Sequence, residues 1–500
     1  MSLCFRLCPP AIVAIILLFV GMVGGDAPAG ASGAAVAVDP GGAHTCALTG
    51  DGELRCWGWN FHGQLGDGTV DSRLEPTAIE LPDVAAFALG GNHTCAVSQG
   101  DVMCWGLNDS GQLGNGGTET SLVPVDVCTT GAEACKIGEI TAIAAGSAHT
   151  CAIDGPATRA VVCWGENSSG QLGNGDTENS ARPIDTCETL PCQPLSNISS
   201  IAAGSAHTCA LSASEGILCW GSNEFGQLGD GGQCGAACSL PVSVCVAVPA
   251  SSCAAPDDLI SLSAGGRHTC VVTVESRAFC WGDNSDGQLG NGSELGSSVP
   301  VEVCTSISTP CPPGSAVESP VAIAAGLSHT CALSASGDVS CWGLNSVSQL
   351  GNGSGGSSSL PVAVNGLATD VVEIAAGSAH ACVRRANGAL QCWGWNADGR
   401  LGDGTFAGRD APVDVIGFSS KPPSLTPTPT PTELPLTGDA DCDGAVDAID
   451  AALVLQRTAA LIPTLPCESL ADADGNGEID SRDAALILQL VAGLISTLPP

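Results

Sequence analysis

Two short acidic runs near the C-terminus carry the side chains best suited to hold a metal ion. Each run has oxygen ligands at positions 1, 3, 5, 7, 9 and 12 and a glycine at position 6, the pattern of a calcium-binding loop. Clustered carboxylates repel one another unless a hard cation neutralises them, and an acidic loop without an ion does not explain two copies in register. The sequence therefore predicts two calcium ions. The ligands would be Asp439, Asp441, Asp443, the backbone of Ala445, Asp447 and Asp450 in the first loop, and Asp472, Asp474, Asn476, the backbone of Glu478, Asp480 and Asp483 in the second.

Seven of the eight histidines recur at a spacing that argues against a shared metal ion. Each starts a His-x-Cys triplet, and the seven are His44, His93, His149, His207, His268, His329 and His380. The ligands of one ion must all lie about 2 Å from it, whereas one histidine per repeat is spread over the whole repeat array. We expect each histidine to be a structural side chain that hydrogen-bonds a neighbouring repeat or turn.

The cysteines are numerous and even in number once the two in the N-terminal leader, Cys4 and Cys8, are set aside. An even set in an exported chain indicates a disulfide framework, and no C-x-x-C pair is present to favour a metal site. Within each repeat the triplet cysteine would bridge to the cysteine of a Cys-Trp-Gly motif, and the alternative is buried free thiols. The expected hairpin pairs are Cys46–Cys56, Cys95–Cys104, Cys151–Cys163, Cys209–Cys219, Cys270–Cys280, Cys331–Cys341 and Cys382–Cys392. The unequal spacings of the second and third pairs predict different hairpin loops, with bulges.

A second set of cysteine pairs occurs only in part of the chain. Four pairs follow the last strand of repeats two to five, a fifth lies within repeat four, and a sixth joins the two acidic loops. These are Cys128–Cys135, Cys187–Cys192, Cys245–Cys253, Cys304–Cys311, Cys234–Cys238 and Cys442–Cys467. The extensions in repeats two to five are either a binding rim or tolerated insertions kept rigid.

The repeats that carry these histidines and cysteines predict a closed ring of β-sheets. One repeat contains His-Thr-Cys-Ala-Leu, then Cys-Trp-Gly, then Gly-Gln-Leu-Gly followed by Asn-Gly or Asp-Gly, and this order recurs seven times. In the third copy, strands are predicted over 139–144, 149–153, 161–165 and 183–185, because β-branched or alternating runs are bounded by Gly, Asn, Ser and Pro. Four strands cannot bury both faces alone, so the repeats should stack as blades of a seven-bladed β-propeller.

The way the ring closes is also predicted. The first strand (35–38) and the last (412–416) would each present an exposed edge. We therefore expect the last strand to pair within the blade that holds the first hairpin.

The repeats resemble those of the regulator of chromosome condensation family over roughly 36–418. The matching elements are A-A-G-x-x-H-T-C-A-L, C-W-G-x-N and G-Q-L-G-N-G. The resemblance implies a seven-bladed, all-β propeller with four-stranded blades. It says little about function, because the scaffold serves a nucleotide-exchange factor that binds chromatin and a secreted inhibitor of β-lactamases alike.

Composition narrows the possible partners and compartments. Fifteen Lys and Arg against fifty-one Asp and Glu give a formal charge of −36, which repels phosphate backbones and excludes nucleic acid as a partner. Residues 1–31 read as a signal peptide, and no other segment is apolar enough to cross a membrane once this leader is removed. We expect a protein secreted by a bacterium or held at its surface.

The C-terminal part forms a separate module. A Pro/Thr-rich linker covers 419–437 and cannot form a core. Beyond it, residues 438–500 contain the two acidic loops, each followed by an apolar helix (450–457 and 483–491). This duplicated loop–helix unit resembles the dockerin family, which implies two bound calcium ions and a cohesin-like partner.

Two classes of function compete. The first is a non-catalytic interaction protein in which the propeller binds a protein or glycan and the dockerin-like module tethers it. The second is a dockerin-borne carbohydrate-active protein that binds or hydrolyses glycans. A glycosidase needs two facing carboxylates, and no unique pair is evident in the sequence, so we expect no enzymatic activity.

Two extra tryptophans suggest where the propeller would bind. Trp59 and Trp395 directly follow the Cys-Trp-Gly motifs of the first and last repeats, which become neighbours when the ring closes. Tryptophan is enriched at interface hot spots, so this pair would line a partner site. The alternative is that both extend the packing of Trp57 and Trp393 between blades.

Overall fold

The computed structural model describes residues 33–127, 137–155, 158–245, 259–304, 318–418 and 481–491, together with 454, 457, 458, 471, 473 and 479. The chain divides into two compact units, Met1–Ser420 and Lys421–Pro500. The predicted signal peptide, the predicted linker and most of the two predicted calcium loops lie outside the described residues. No helix among the described residues is long and apolar enough to cross a membrane.

The first unit contains seven four-stranded antiparallel sheets, each built from one repeat in sequence order. Blades 1 to 4 consist of the strands Ala35–Pro40, His44–Thr49, Leu54–Gly58 and Arg73–Ala78; Val84–Leu89, His93–Ser98, Asp101–Gly106 and Ser121–Asp126; Ile140–Ala145, His149–Asp154, Ala160–Gly165 and Ser180–Asp185; and Ile198–Ala203, His207–Ser212, Gly216–Ser222 and Ala237–Ser243. Blades 5 to 7 consist of Leu259–Ala264, His268–Thr273, Ala278–Gly282 and Ser297–Glu302; Pro320–Ala325, His329–Ser334, Val339–Gly343 and Ser358–Ala363; and Val371–Ala376, His380–Arg385, Leu390–Gly394 and Arg409–Asp414. The seven-bladed propeller predicted from the repeats is confirmed.

The first strand of every blade lies at the centre of the ring. Together the seven first strands line a channel of about 670 Å³. Because the strands alternate in direction, the turns between first and second strands lie at the same end of the blade as the start of each loop between third and fourth strands. We call this end the loop face.

Each blade is closed by a disulfide in the hairpin of its second and third strands. The two cysteines stand directly opposite each other, as Cys46 does to Cys56, with Cα atoms 4.0–4.1 Å apart in all seven blades. The prediction of bulges in the second and third hairpins is wrong. Both hairpins are paired without a register shift, and their different lengths are taken up in the turns.

The prediction that the chain ends mix within one blade is also wrong. The last strand, Arg409–Asp414, pairs with Leu390–Gly394 of its own repeat, and Ala35–Pro40 pairs with His44–Thr49. The boundary between blades therefore coincides with the boundary between repeats. The ring closes through contacts between blades 7 and 1, including a hydrogen bond from the Ala35 amide to the Gly388 carbonyl (3.1 Å).

The second unit is described only in part. One helix, Ser481–Val491, begins within the last three positions of the second acidic loop, two residues earlier than the sequence predicts. Its Ala484 and Ile487 pack with Val454, Ala471 and Ala473 in a small buried cluster. The helix predicted after the first loop lies largely outside the described residues.

Candidate binding surface and calcium loop

The blades are joined by one hydrogen-bonded unit that uses the repeated histidine, threonine and tryptophan. Between blades 1 and 2, His44 Nε2 lies 2.8 Å from Thr94 Oγ1, and Thr94 Oγ1 donates to the Gln64 carbonyl (2.8 Å). Trp105 Nε1 donates to the same carbonyl at 2.9 Å. Because the threonine proton goes to the carbonyl, His44 Nε2 must carry the hydrogen that Thr94 accepts. The unit thus ties Gln64 and His44 of one blade to the next.

The same unit recurs around the ring and across the junction of blades 7 and 1. There His380 meets Thr45 at 2.8 Å, and Thr45 and Trp57 both donate to the Arg400 carbonyl. All seven repeat histidines are fully buried, and burial lowers their pKa, for example to about 4 for His93. They are neutral at pH 7, and six of them donate to the next blade, which confirms the predicted structural role for those six. The exception is His329, because blade 7 has Ala381 where six blades have threonine.

Seven glycines form a ring at the loop face, where the turns of neighbouring blades come into close contact. A Cβ atom on any of these glycines would lie 2.4–2.9 Å from the carbonyl oxygen of the next glycine in the ring, which is too close for any larger residue. Backbone hydrogen bonds such as Gly42 N to Gly90 O (3.1 Å) link neighbouring turns. The seven are Gly41, Gly90, Gly146, Gly204, Gly265, Gly326 and Gly377.

The channel contains two carboxylates whose proximity the sequence did not reveal. Asp39 and Glu373 come from the first strands of blades 1 and 7, and burial raises the pKa of both, that of Asp39 to about 6. Asp39 Oδ2 accepts from the Leu89 amide (2.9 Å), and Glu373 accepts from the Val38 amide and pairs with Arg384. Both side chains satisfy backbone amides on the inner edge of the next blade. The two residues lie in separate repeats, far apart in the sequence, so nothing in the sequence indicated that they would lie close together.

The extra tryptophans differ from the core tryptophans in exposure. Trp57 and Trp393 are completely buried, whereas Trp395 is 44% exposed and Trp59 is half-buried. The alternative in which the extra pair only extends the packing between blades is therefore weakened for Trp395.

Trp59 belongs to an aromatic group on the loop of blade 1. Its ring stacks near Phe61 (centroids 6.4 Å apart) and meets His62 edge-on at 5.7 Å. Phe61 is 66% exposed. On blade 7, the Arg400 guanidinium lies 5.7 Å from the Trp395 ring centroid and covers part of that ring. We call Trp59, Phe61, His62 and Trp395 the seam surface.

The two halves of the seam surface are fixed to adjoining turns. The Trp59 amide donates to Ala43 and the Trp395 amide donates to Ala379, each at the loop-face turn of its own blade. These two turns are joined by a hydrogen bond from the Ser378 amide to the Gly41 carbonyl (3.2 Å). Arg400 Nη1 also donates to the Gly42 carbonyl across the junction (3.1 Å). The backbones that carry the two tryptophans are thus connected.

Of the second set of cysteine pairs, two are described. Cys187–Cys192 closes a small hairpin after the fourth strand of blade 3, and Cys234–Cys238 joins the loop of blade 4 to the start of its fourth strand. The hairpin packs beside the loop of its own blade, where the Cys187 amide donates to the Gly173 carbonyl (2.9 Å). At least one cysteine of each pair Cys128–Cys135, Cys245–Cys253, Cys304–Cys311 and Cys442–Cys467 lies outside the described residues. The rim that these extensions would form remains a prediction.

One of the twelve predicted calcium ligands is described. Asp483, at position 12 of the second loop, is completely buried at the start of the helix. Its Oδ1 accepts a hydrogen bond from the Ala473 amide at 2.8 Å, which turns the carboxylate back towards position 2 of the loop. A buried carboxylate at position 12 of an acidic sequence of this pattern is a suitable ligand for a hard cation.

Comparison with known proteins identifies both units. The chain matches the RCC1-like domain over residues 82–423, RCC1 repeats over 35–64 and 51–97, and the dockerin type I domain over 437–491.

Relatives and solved structures agree on the propeller. The Arabidopsis thaliana ultraviolet-B receptor UVR8 is 31% identical over 52% of this chain and 56% of its own length. The Homo sapiens E3 ubiquitin-protein ligase HERC2 is 29% identical over 52% of this chain and 5% of its own length. The chain thus spans about half of the first relative and a small part of the second. Human WBSCR16 is 23% identical and superposes with a TM-score of 0.60 over 73% of this chain and 93% of its own, a likeness of fold.

Proposed function

The chain belongs to the RCC1-like domain family and carries a dockerin type I segment, and from this premise we propose that it is a secreted, non-catalytic binding protein. The propeller would contact a partner through the seam surface. The C-terminal module would tether the propeller to a cohesin-bearing surface or complex. This proposal rests on one observation: the same chain contains a propeller with disulfide-closed hairpins and a dockerin segment.

The tether depends on the two acidic loops. Each loop would hold one calcium ion, and the ion would neutralise carboxylates that otherwise keep the loop open, so that metal binding contributes directly to folding. Asp483 and its hydrogen bond to Ala473 would join the second loop to the helix that follows.

An extracellular location is consistent with the disulfides. Nine are described, seven of them completely buried in the hairpins, and disulfides form and persist in oxidising compartments. The leader at 1–31 would direct export, and the acidic surface would keep the protein away from nucleic acid.

Calcium-dependent capture tests the tether. The full chain is passed over immobilised type I cohesins in calcium and again after chelation with EDTA. We expect binding in calcium and its loss in EDTA, because the loops cannot close without the ion. The variant Asp450→Asn/Asp483→Asn, which removes a carboxylate from each loop, should weaken binding by at least about tenfold.

The matched control is Trp59→Ala/Trp395→Ala, which should bind cohesin as the natural chain does. Capture that is insensitive to EDTA, or no capture by any type I cohesin in calcium, would remove the tether from this proposal.

A further inference from the structure

The loops that leave the loop face are strongly acidic. They cover 59–72, 107–120, 166–179, 223–236, 283–296, 344–357 and 395–408, and they contain fourteen aspartates and glutamates against one arginine, Arg400. Arg400 is itself nearly buried and pairs with Asp398. Arg73 and Arg409, at the starts of two fourth strands, pair with Asp67 and Asp403, and Arg267 lies in a turn of the same face. The face therefore carries a net excess of negative charge.

Some of these carboxylates lie close enough together to repel one another. On blade 5, partial burial and the nearby charges of Asp283 and Glu294 raise the pKa of Asp286. A cation that binds beside such carboxylates reduces the repulsion between them, which favours its binding.

The seam surface provides the apolar contact within this acidic surrounding. Phe61 is 66% exposed, Trp395 is 44% exposed beside Arg400, and aromatic faces attract cations, with tryptophan the strongest. The chain already uses this contact twice on the same face, where Arg400 lies 5.7 Å from the Trp395 centroid and Arg267 lies 4.6 Å from the Phe225 centroid.

We infer that the seam surface receives a basic segment of a partner protein, with arginine or lysine side chains seated on Trp59, Phe61 and Trp395 and the surrounding carboxylates drawing the segment in. This rests on the proposed function and specifies the partner's chemistry. A neutral glycan would use the aromatic rings and could donate hydroxyl hydrogen bonds to carboxylates, but it would gain nothing from the net negative charge. Charge complementarity therefore favours the basic segment.

Peptide titration tests the inference on the full chain. The probes are fluorescent hexa-arginine, a Gly-Ser peptide of the same length and cellohexaose. We expect hexa-arginine to bind, to weaken as salt is raised, and to bind at least about tenfold more weakly to Trp59→Ala/Trp395→Ala. The Gly-Ser peptide and cellohexaose should not bind.

The double variant leaves the net charge unchanged, so it separates seating on the aromatic rings from general attraction to an acidic protein. Phe225→Ala is the matched control, because that ring is already covered by Arg267, and it should bind hexa-arginine as the natural chain does. Absence of hexa-arginine binding at low salt, or equal binding by the natural chain and the double variant, overturns the inference. If cellohexaose binds instead, and its binding depends on the two tryptophans, the inference of a basic partner is wrong. The proposal that the propeller binds a partner would then still stand.

Discussion

The most informative single residue is Ala381, because it interrupts a hydrogen-bonded unit that is otherwise complete. In blades 1 to 6 a threonine at this position accepts from the histidine of the preceding blade. Alanine cannot, and both ring nitrogens of His329 are buried without a hydrogen-bond partner in the described part of the chain. A buried polar group without a partner lowers stability by about 1–3 kcal/mol.

Ala381→Thr should therefore stabilise the propeller. The new hydroxyl would accept from His329 Nε2 and donate to the Gln349 carbonyl, which already accepts from Trp393 Nε1. We expect a gain of about 1–2 kcal/mol in the free energy of unfolding, measured by chemical denaturation. The control is Ala381→Val, which has the same shape without the hydroxyl. Equal effects of threonine and valine would show that packing, and not the hydrogen bond, is limiting at this junction.

At this scale the sequence predicted residue classes better than residue partners. The histidines were correctly assigned a structural role, because one per repeat cannot converge on a metal ion. Their threonine partners were not identified, since they lie about fifty to sixty residues away in the next blade and are defined only when the ring forms. Asp39 and Glu373 were missed for the same reason: each lies in a different repeat and they become neighbours only across the junction of blades 1 and 7.

Among the elements, the turns at the loop face are the most constrained. Each carries one glycine of the closed ring, and the space beside Gly204 is only enough for hydrogen: an added Cβ would lie 2.2 Å from His207 Cε1 and 2.5 Å from the Gly265 carbonyl oxygen. Backbone atoms on the opposite side cannot move without disturbing the next blade.

Gly204→Ala should consequently destabilise the propeller by about 1–3 kcal/mol, the range for inserting a methyl group into a packed site. Gly355→Ala is the matched control, because an added Cβ there meets nothing within 4 Å. Thermal unfolding monitored by tryptophan fluorescence separates the two. If both variants melt with the natural chain, the glycine ring does not constrain the structure.

The elements themselves were predicted well from local patterns. Strands in the third repeat begin and end within three residues of their predicted bounds, and the hairpin disulfides form where facing cysteines were expected. These features depend on neighbouring residues in the chain. The closure of the ring was predicted wrongly, because exposed edges were assumed to require strand exchange. The first strands instead face the central channel, where the side chains of Asp39 and Glu373 accept hydrogen bonds from edge amides.

For the whole molecule, closure without strand exchange places two complete blades side by side at the junction of the chain ends. The seam surface is built on this junction, with the turns that carry Trp59 and Trp395 joined through Ser378 and Gly41. A binding surface there would require the ring to be closed, which makes folding of the first and last repeats a condition for binding. The acidic loops of the other blades would then guide the partner from a distance.

The central claim is that the seam surface is a contact surface and not part of the packing between blades. It is tested most directly by capturing proteins from the source organism's secreted fraction on cohesin-immobilised chain, comparing the natural protein with Trp59→Ala/Trp395→Ala and with Val274→Ala, an exposed residue in a turn at the opposite end of blade 5. We predict a basic partner that is retained by the natural chain and by Val274→Ala but lost with the double variant, whose melting temperature stays within about 2 °C of the natural value. Retention of the same partner by a double variant that melts many degrees lower would contradict the account and assign both tryptophans to the core.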